Sequence, residues 1–123
     1  EQTDINGFTP LHVAAYKGNF DVVRKLIEKK VNINAEDKLG RNALHHAVLR
    51  GDSFSCILLM NNGANIEHKD KQGISPLDIT KKRSMYSLEA QIKATLEAQR
   101  LEAYRQKIVA IRKRNLFLAS QAY

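Results

Sequence analysis

The sequence is short of nearly everything that would make it a secreted protein, a membrane protein or an enzyme. Its one cysteine, Cys56, excludes an internal disulfide and points to a reducing, intracellular setting, with the cytoplasm as the expected location. The first residues, EQTDINGFTP, have no basic n-region and no apolar h-region, so no signal peptide is legible. No apolar run approaches the ~20 residues needed to span a bilayer. There is no phosphate-cradling glycine loop, no nucleophile elbow and no paired carboxylate set. The four histidines do not stand at metal-ligand spacing with Cys56. No catalysis, no cofactor and no metal is expected. The chain begins at Glu1 rather than Met, which reads as a segment of a larger multidomain protein.

Two scarcities are local. From Leu77 to Tyr123 there is neither glycine nor proline. Acidic residues also thin out there. Residues 1–80 hold ten Lys/Arg and ten Asp/Glu, whereas residues 81–123 hold ten Lys/Arg and only Glu89, Glu97 and Glu102. The whole formal net charge of +7 therefore lies in the last third, and two regions so different in composition should have different tasks.

What is present is a 33-residue interval. Gly7, Gly40 and Gly73 are spaced by it, as are Asp4, Asp37 and Asp70, and Leu11, Leu44 and Leu77. Thr9/Asn42/Ser75, Pro10/Ala43/Pro76 and His12/His45/Asp78 keep the same phase. Self-similarity at this period is the signature of stacked helical units. Within the first unit, Asn6-Gly7 is a turn, Thr9-Pro10 an N-cap followed by proline at N1, and Gly18 a helix stop. Phe20, Val22, Val23, Leu26 and Ile27 then fit a second, amphipathic helix.

GFTPLHVAAYKG followed by FDVVRKLIEKK and VNIN resembles an ankyrin repeat. The second unit matches with GRNALHHAVLRGD and ILLMNNGANIE, the third with DKQGISPLDIT. The second departs at Asn42-Ala43, where the family prefers Thr-Pro, and the third carries Asp78 in place of histidine. The resemblance is firm over residues 4–80. It implies an all-α solenoid of helix-turn-helix pairs, structural roles for His12 and His45 in holding the turns between units, and binding of a protein partner in a concave groove. His46 and His68 do not recur at the interval and are assigned no role. Cys56 stands in register with Val23 and should be a core residue.

The third unit changes character. Leu96 occupies the place of Gly63, and the residues that follow are strong helix formers. The reading is one long helix from about Met85 to Leu118, roughly 50 Å, with a break near Ala98–Arg100 the alternative. The expected division is ankyrin repeats over 1–96 (4–36, 37–69 and 70–96) and a basic helical extension over 97–123, continuous with the last repeat helix. In the first unit Val13, Val22 and Ile27 look like residues expecting a further neighbour.

Two candidate surfaces follow. Register columns at the turn tips and first helices point to Phe8, Tyr16, Lys17, Leu39, Arg41, Leu49, Arg50 and Ile74 as partner-binding residues in the concave groove. In the tail, Leu101, Tyr104, Ile108, Ile111 and Leu118 form an apolar stripe that should pair with a second copy, fold back on the repeats or dock on another domain. Arg100, Arg105, Lys107, Arg112, Lys113 and Arg114 make the same segment basic. Helix-dipole complementation or partner contact accounts for them first, an anionic membrane face second and nucleic acid last. The function expected is that of a non-catalytic scaffold or adaptor module. The alternatives are a regulatory or oligomerisation appendage of an enzyme such as a GTPase-activating protein or kinase, and a membrane-recruitment module acting through the basic helix.

Overall fold

The computed structural model describes residues 3–122, and among these every regular element is an α-helix. In chain order they are α1 (Pro10–Lys17), α2 (Phe20–Glu28), α3 (Ala43–Arg50), α4 (Ser53–Asn61), α5 (Pro76–Lys82) and α6 (Tyr86–Gln121). The chain forms two compact units, one reaching Ile92 and the other starting at Lys93. In the first unit, α1, α3 and α5 pack side by side, and α2 and α4 pack behind them.

Each first helix starts by the same device, built from two residues three apart. Thr9, Asn42 and Ser75 accept the backbone N–H of residue N3, and the N3 side chain in turn accepts the N–H of the cap. In α1 and α3 that returning acceptor is a histidine: Nδ1 of His12 takes the Thr9 N–H at 2.9 Å, and Nδ1 of His45 takes the Asn42 N–H at 3.1 Å. A backbone N–H can only donate, so the ring proton is on Nε2. That proton reaches the next repeat, from His12 to the Arg41 carbonyl at 3.0 Å and from His45 to the Ile74 carbonyl at 2.9 Å. Asp78 performs the first half of this task, accepting the Ser75 N–H at 3.0 Å. A carboxylate carries no proton to donate, so Asp78 cannot repeat the onward hydrogen bond of His12 and His45.

The turns are stitched at the same interval. The Lys38 N–H donates to the Asn6 carbonyl at 3.1 Å, and the Lys71 N–H donates to the Leu39 carbonyl at 2.9 Å. Gly40 has φ +78°, and a Cβ there would lie 2.9 Å from the Lys71 nitrogen, so glycine serves both the backbone angle and the close approach.

The core lies between the two rows of helices. The middle helix, α3, is enclosed most completely, with every residue from Ala43 to Val48 buried. Leu44, Val48, Leu59 and Cys56 have no exposed surface. Burying each of the larger aliphatic side chains stabilises the stack by about 1.5–3 kcal/mol. Burial pushes the Cys56 thiol up to about 12, so at neutral pH it packs as a small uncharged group.

Helix α6 begins as the second helix of the third repeat, burying Leu88 and Ile92. It then continues without interruption to Gln121, 36 residues in all. The long helix read from the sequence is there, and it passes through Ala98–Arg100 unbroken.

Candidate functional site

Three successive repeats bring side chains together in one open cleft of about 400 Å³, lined by Tyr16, Arg41, Leu49, Arg50 and Arg83. Four of these five are candidates from the sequence columns. Arg83 is the addition: it occupies the C-cap of α5, one repeat on from Arg50.

The cationic side chains reach backward along the stack. A Cβ added to Gly18 would lie 2.9 Å from Nε of Arg50, so the Arg50 side chain crosses the end of the preceding first helix. Arg83 repeats the arrangement one step later, donating from Nη1 to the Leu49 carbonyl at 3.4 Å. Arg41 is held differently, with its Nε 3.7 Å from Oδ2 of the buried Asp70. That separation is an ion pair but exceeds a hydrogen bond, and Nε of Arg41 has no hydrogen-bond partner among the described residues.

The other candidates fall around this cleft. Tyr16 and Leu39 are exposed at 56% and 55%, and Lys17 is exposed. Phe8 and Ile74 are half-buried. Phe8 is held by rings beneath it, 6.0 Å from His12 and 4.9 Å from His46 between centroids.

His46 needs correcting from a residue without a role to the hub of this aromatic cluster. It is buried, lies within 6.0 Å of the Phe8, His12 and Tyr16 rings, and donates from Nε2 to Oδ2 of Asp37 at 2.8 Å. Burial lowers the pKa of His46 and outweighs the Asp37 contact, which raises it. Burial alone would raise the Asp37 carboxyl, but the His46 hydrogen bond and the N–H groups of Arg41 and Leu39 hold it below its ordinary value. The pair is therefore a carboxylate bonded to a neutral imidazole. Nδ1 of His46 faces no partner among the described residues, so a second ring proton would be stranded there. The signal for this in the sequence was a polar residue in the column of Val13 and Ile79. His68 also has partners: its Nε2 lies 2.9 Å from the Gly40 carbonyl and 2.7 Å from Glu36.

The second surface belongs to the unit that starts at Lys93. Leu101, Tyr104, Ile111 and Leu118 are each more than half exposed and Ile108 is half-buried. At 3.6 residues per turn these five fall in a sector of about 100°. Val109, Leu116 and Phe117 are exposed outside that sector, and Arg105 and Arg112 border it. Arg100, Lys107, Lys113 and Arg114 are exposed as well. Apolar side chains thus occur around much of the helix rather than on one face. No helix among the described residues is long and apolar enough to cross a membrane. No group of acidic, histidine and cysteine side chains among them could hold a metal ion.

Comparison with known proteins agrees with this geometry. Human palmitoyltransferase ZDHHC17 is 42% identical over 77 residues, which cover 61% of this chain and 12% of that protein. Alpha-latrotoxin-Lh1a of Latrodectus hasselti is 40% identical over 78 residues, covering 62% of this chain and 6% of the toxin. Alpha-latroinsectotoxin-Lt1a of Latrodectus tredecimguttatus is 35% identical over 88 residues, covering 70% of this chain and again 6% of the toxin. The chain thus spans about an eighth or less of the relatives it matches. A family profile described as ankyrin repeats in three copies matches residues 1–70. With its 33-residue period, histidine-linked turns and two-row helix stack, the chain belongs to the ankyrin repeat family.

Proposed function

We propose that the repeats act as a non-catalytic interaction module, a scaffold or adaptor, which seats a protein partner in the concave cleft. One observation carries this reading. Tyr16, Arg41, Leu49, Arg50 and Arg83 converge from three repeats on one open cleft, where an aromatic ring and three guanidinium groups stand together. Aromatic and arginine side chains are the usual anchors of protein interfaces. Tyr16→Ala combined with Arg50→Ala should abolish capture of partners from cell extract, with a melting temperature within a few degrees of the parent. Unchanged capture overturns the assignment.

A second reading has an observation of its own. One relative is a palmitoyltransferase of which the matched segment is 12%, which supports a repeat segment joined to an enzyme and presenting proteins to it. The same cleft serves both readings. The exposed apolar residues of α6 support a further contact, by which the helix docks on another domain or pairs with a second copy, as Leu101, Tyr104, Ile108, Ile111 and Leu118 suggest. Membrane recruitment through Arg112, Lys113 and Arg114 ranks below these, because the apolar residues do not gather on one face. We place the protein in the cytoplasm, consistent with its one cysteine being free and buried.

A further inference from the structure

We infer that the cleft takes an extended acidic segment of its partner, with carboxylate side chains about three residues apart, an inference that rests on the cleft being the partner site. The argument begins with a column of cations. Lys17, Arg50 and Arg83 occupy the same register in three repeats, each at the end of a first helix. No carboxylate among the described residues pairs with any of them. Helix termini attract basic residues through the macrodipole, which explains their sign. It does not explain why the acids near them are engaged elsewhere, as Asp52 is by the Phe54 and Ser55 N–H groups and the Ser55 hydroxyl.

The pattern is systematic. Helices α1 and α3 contain no acidic residue at all. Asp78, the one acid of α5, accepts the Ser75 N–H. The turns carry three aspartates, and each folds its Oδ1 back onto its own loop. Asp4 accepts from Asn6 and Phe8, Asp37 from Leu39 and Arg41, and Asp70 from Gln72 and Ile74. Helix α2 behaves otherwise: its Asp21 and Glu28 are exposed and flank Arg24. Arg41 has Asp70 beside it, but Lys17, Arg50 and Arg83 have no carboxylate partner among the described residues, and complementarity calls for an anionic partner.

Geometry narrows the class. Arg50 and Arg83 lie back along the stack, one over Gly18 and the other over the end of α3, so part of the ordering cost of two long side chains is already met. A guanidinium presents a planar fork that suits a carboxylate. Packed helices stand about 8–10 Å apart, and an extended chain advances about 3.3 Å per residue. One step along the cation column thus equals about three residues of extended peptide. Tyr16 and Leu49 line the same cleft and offer apolar contact to an intervening side chain.

The test uses fluorescence anisotropy on the whole chain with short labelled peptides, three of them to read spacing and charge and two more with lysine or phosphoserine at the spaced positions. One has glutamates at every third position with leucine between them, one has the same residues with the glutamates clustered, and one has alanine for each glutamate. The spaced peptide should bind on the order of tenfold tighter than either of the others. Its affinity should weaken as salt rises. Arg50→Glu with Arg83→Glu should remove that binding and admit a peptide with lysine at the spaced positions. Circular dichroism melts check the fold, and Arg50→Gln alone, expected to weaken binding in the same sense, replaces the double variant if it unfolds. Equal binding of spaced and clustered peptides overturns the proposal, as does equal binding of the alanine peptide or preference for a phosphoserine peptide over the glutamate one. If these peptides fail while the Tyr16→Ala, Arg50→Ala variant still loses partner capture, the acidic class is wrong and the cleft remains the site.

Discussion

Helices α4 and α6 start at equivalent points of successive repeats and end very differently. α4 closes after nine residues and α6 after 36. After α4 the chain takes up a left-handed conformation at Gly63, with φ +97°. The first repeat does the same at Lys30, φ +58°, although lysine is strained there. Leu96 holds the third place in that column and simply continues the helix. One left-handed position thus separates a repeat helix from a long one, and the residues beyond it decide whether the extension is used. In α6 they are Ala, Leu, Glu, Gln, Lys and Arg, which favour propagation. The unit that reaches Ile92 buries an aliphatic core, with Ile5 and Leu39 left exposed, while the segment from Lys93 displays most of its aliphatic side chains.

The contrast is tested most strongly in the core. Leu44 has no exposed surface in a helix buried along most of its length. Leu44→Ala should cost about 3 kcal/mol in urea unfolding, a large share of the ~5–15 kcal/mol typical of a domain. A cost below about 1 kcal/mol would mean that the repeats are as loosely held as the tail.

A smaller effect is expected at the buried polar cluster. Asp37 accepts from the Leu39 and Arg41 N–H groups and from His46. Asp37→Ala leaves these donors unpaired, at about 2 kcal/mol. The same cluster sets the pH dependence. The pKa values of His45 and His46 are lowered by burial, so the folded state resists the ring proton that the unfolded chain accepts. Their contribution is complete above the ordinary histidine value of about 6.5 and is lost as pH falls below it. Asp37, Asp70 and Asp78 are also lowered, so a second loss follows below the ordinary carboxylate value of about 3.9. Stability measured by urea titration should therefore decline in two steps on acidification. His46→Leu should shrink the first step, and an unchanged step would remove His46 from the account.

How much of this was legible depended on whether a feature repeats. The columns of glycine, aspartate and capping residues gave the helix starts, the turns and the cleft candidates Tyr16, Arg41, Leu49 and Arg50, because a regular stack turns register into position. Arg83 stands in the same register column as Lys17 and Arg50 but is not among the candidates drawn from the sequence. His46 was illegible for the opposite reason: it occurs once, and its partner Asp37 is nine residues away across a turn that only the fold closes. The capping role of His12 and His45 was also hidden, because histidine stands at a position where Glu or Gln is the familiar acceptor. Over the tail, the sequence specified a helix but carried no repeat against which to place its surfaces.

The two columns of helix stops offer changes of about 1 kcal/mol in opposite directions. Ser84 holds φ +54° where Gly18 and Gly51 hold +70° and +79°. Ser84→Gly relieves a left-handed serine and should stabilise the repeats by about 1 kcal/mol. Leu96→Gly should weaken α6 by about 1 kcal/mol and create a site of faster amide hydrogen exchange near residue 96. If exchange over residues 97–110 is no faster than in the parent, α6 is held by more than its own propensity, and the single-position account of its length fails.

The smallest change is expected where exposure is greatest. Leu101 and Ile111 are exposed at 56% and 54%. A side chain already in water loses little on truncation, so Leu101→Ala and Ile111→Ala should each fall within about 0.5 kcal/mol of the parent at low protein concentration. Raising the concentration separates the readings of the tail. A second copy covering these residues would make the melting temperature climb with concentration, and Leu101→Ala would then lose stability only at the high end. The segment from Lys93 to Ala122 carries seven basic and two acidic side chains, so pairing of two copies would also strengthen with salt, which screens their repulsion. A melting temperature independent of concentration at both low and high salt removes the second copy and leaves folding back on the repeats or docking on another domain as the ways these apolar side chains are covered.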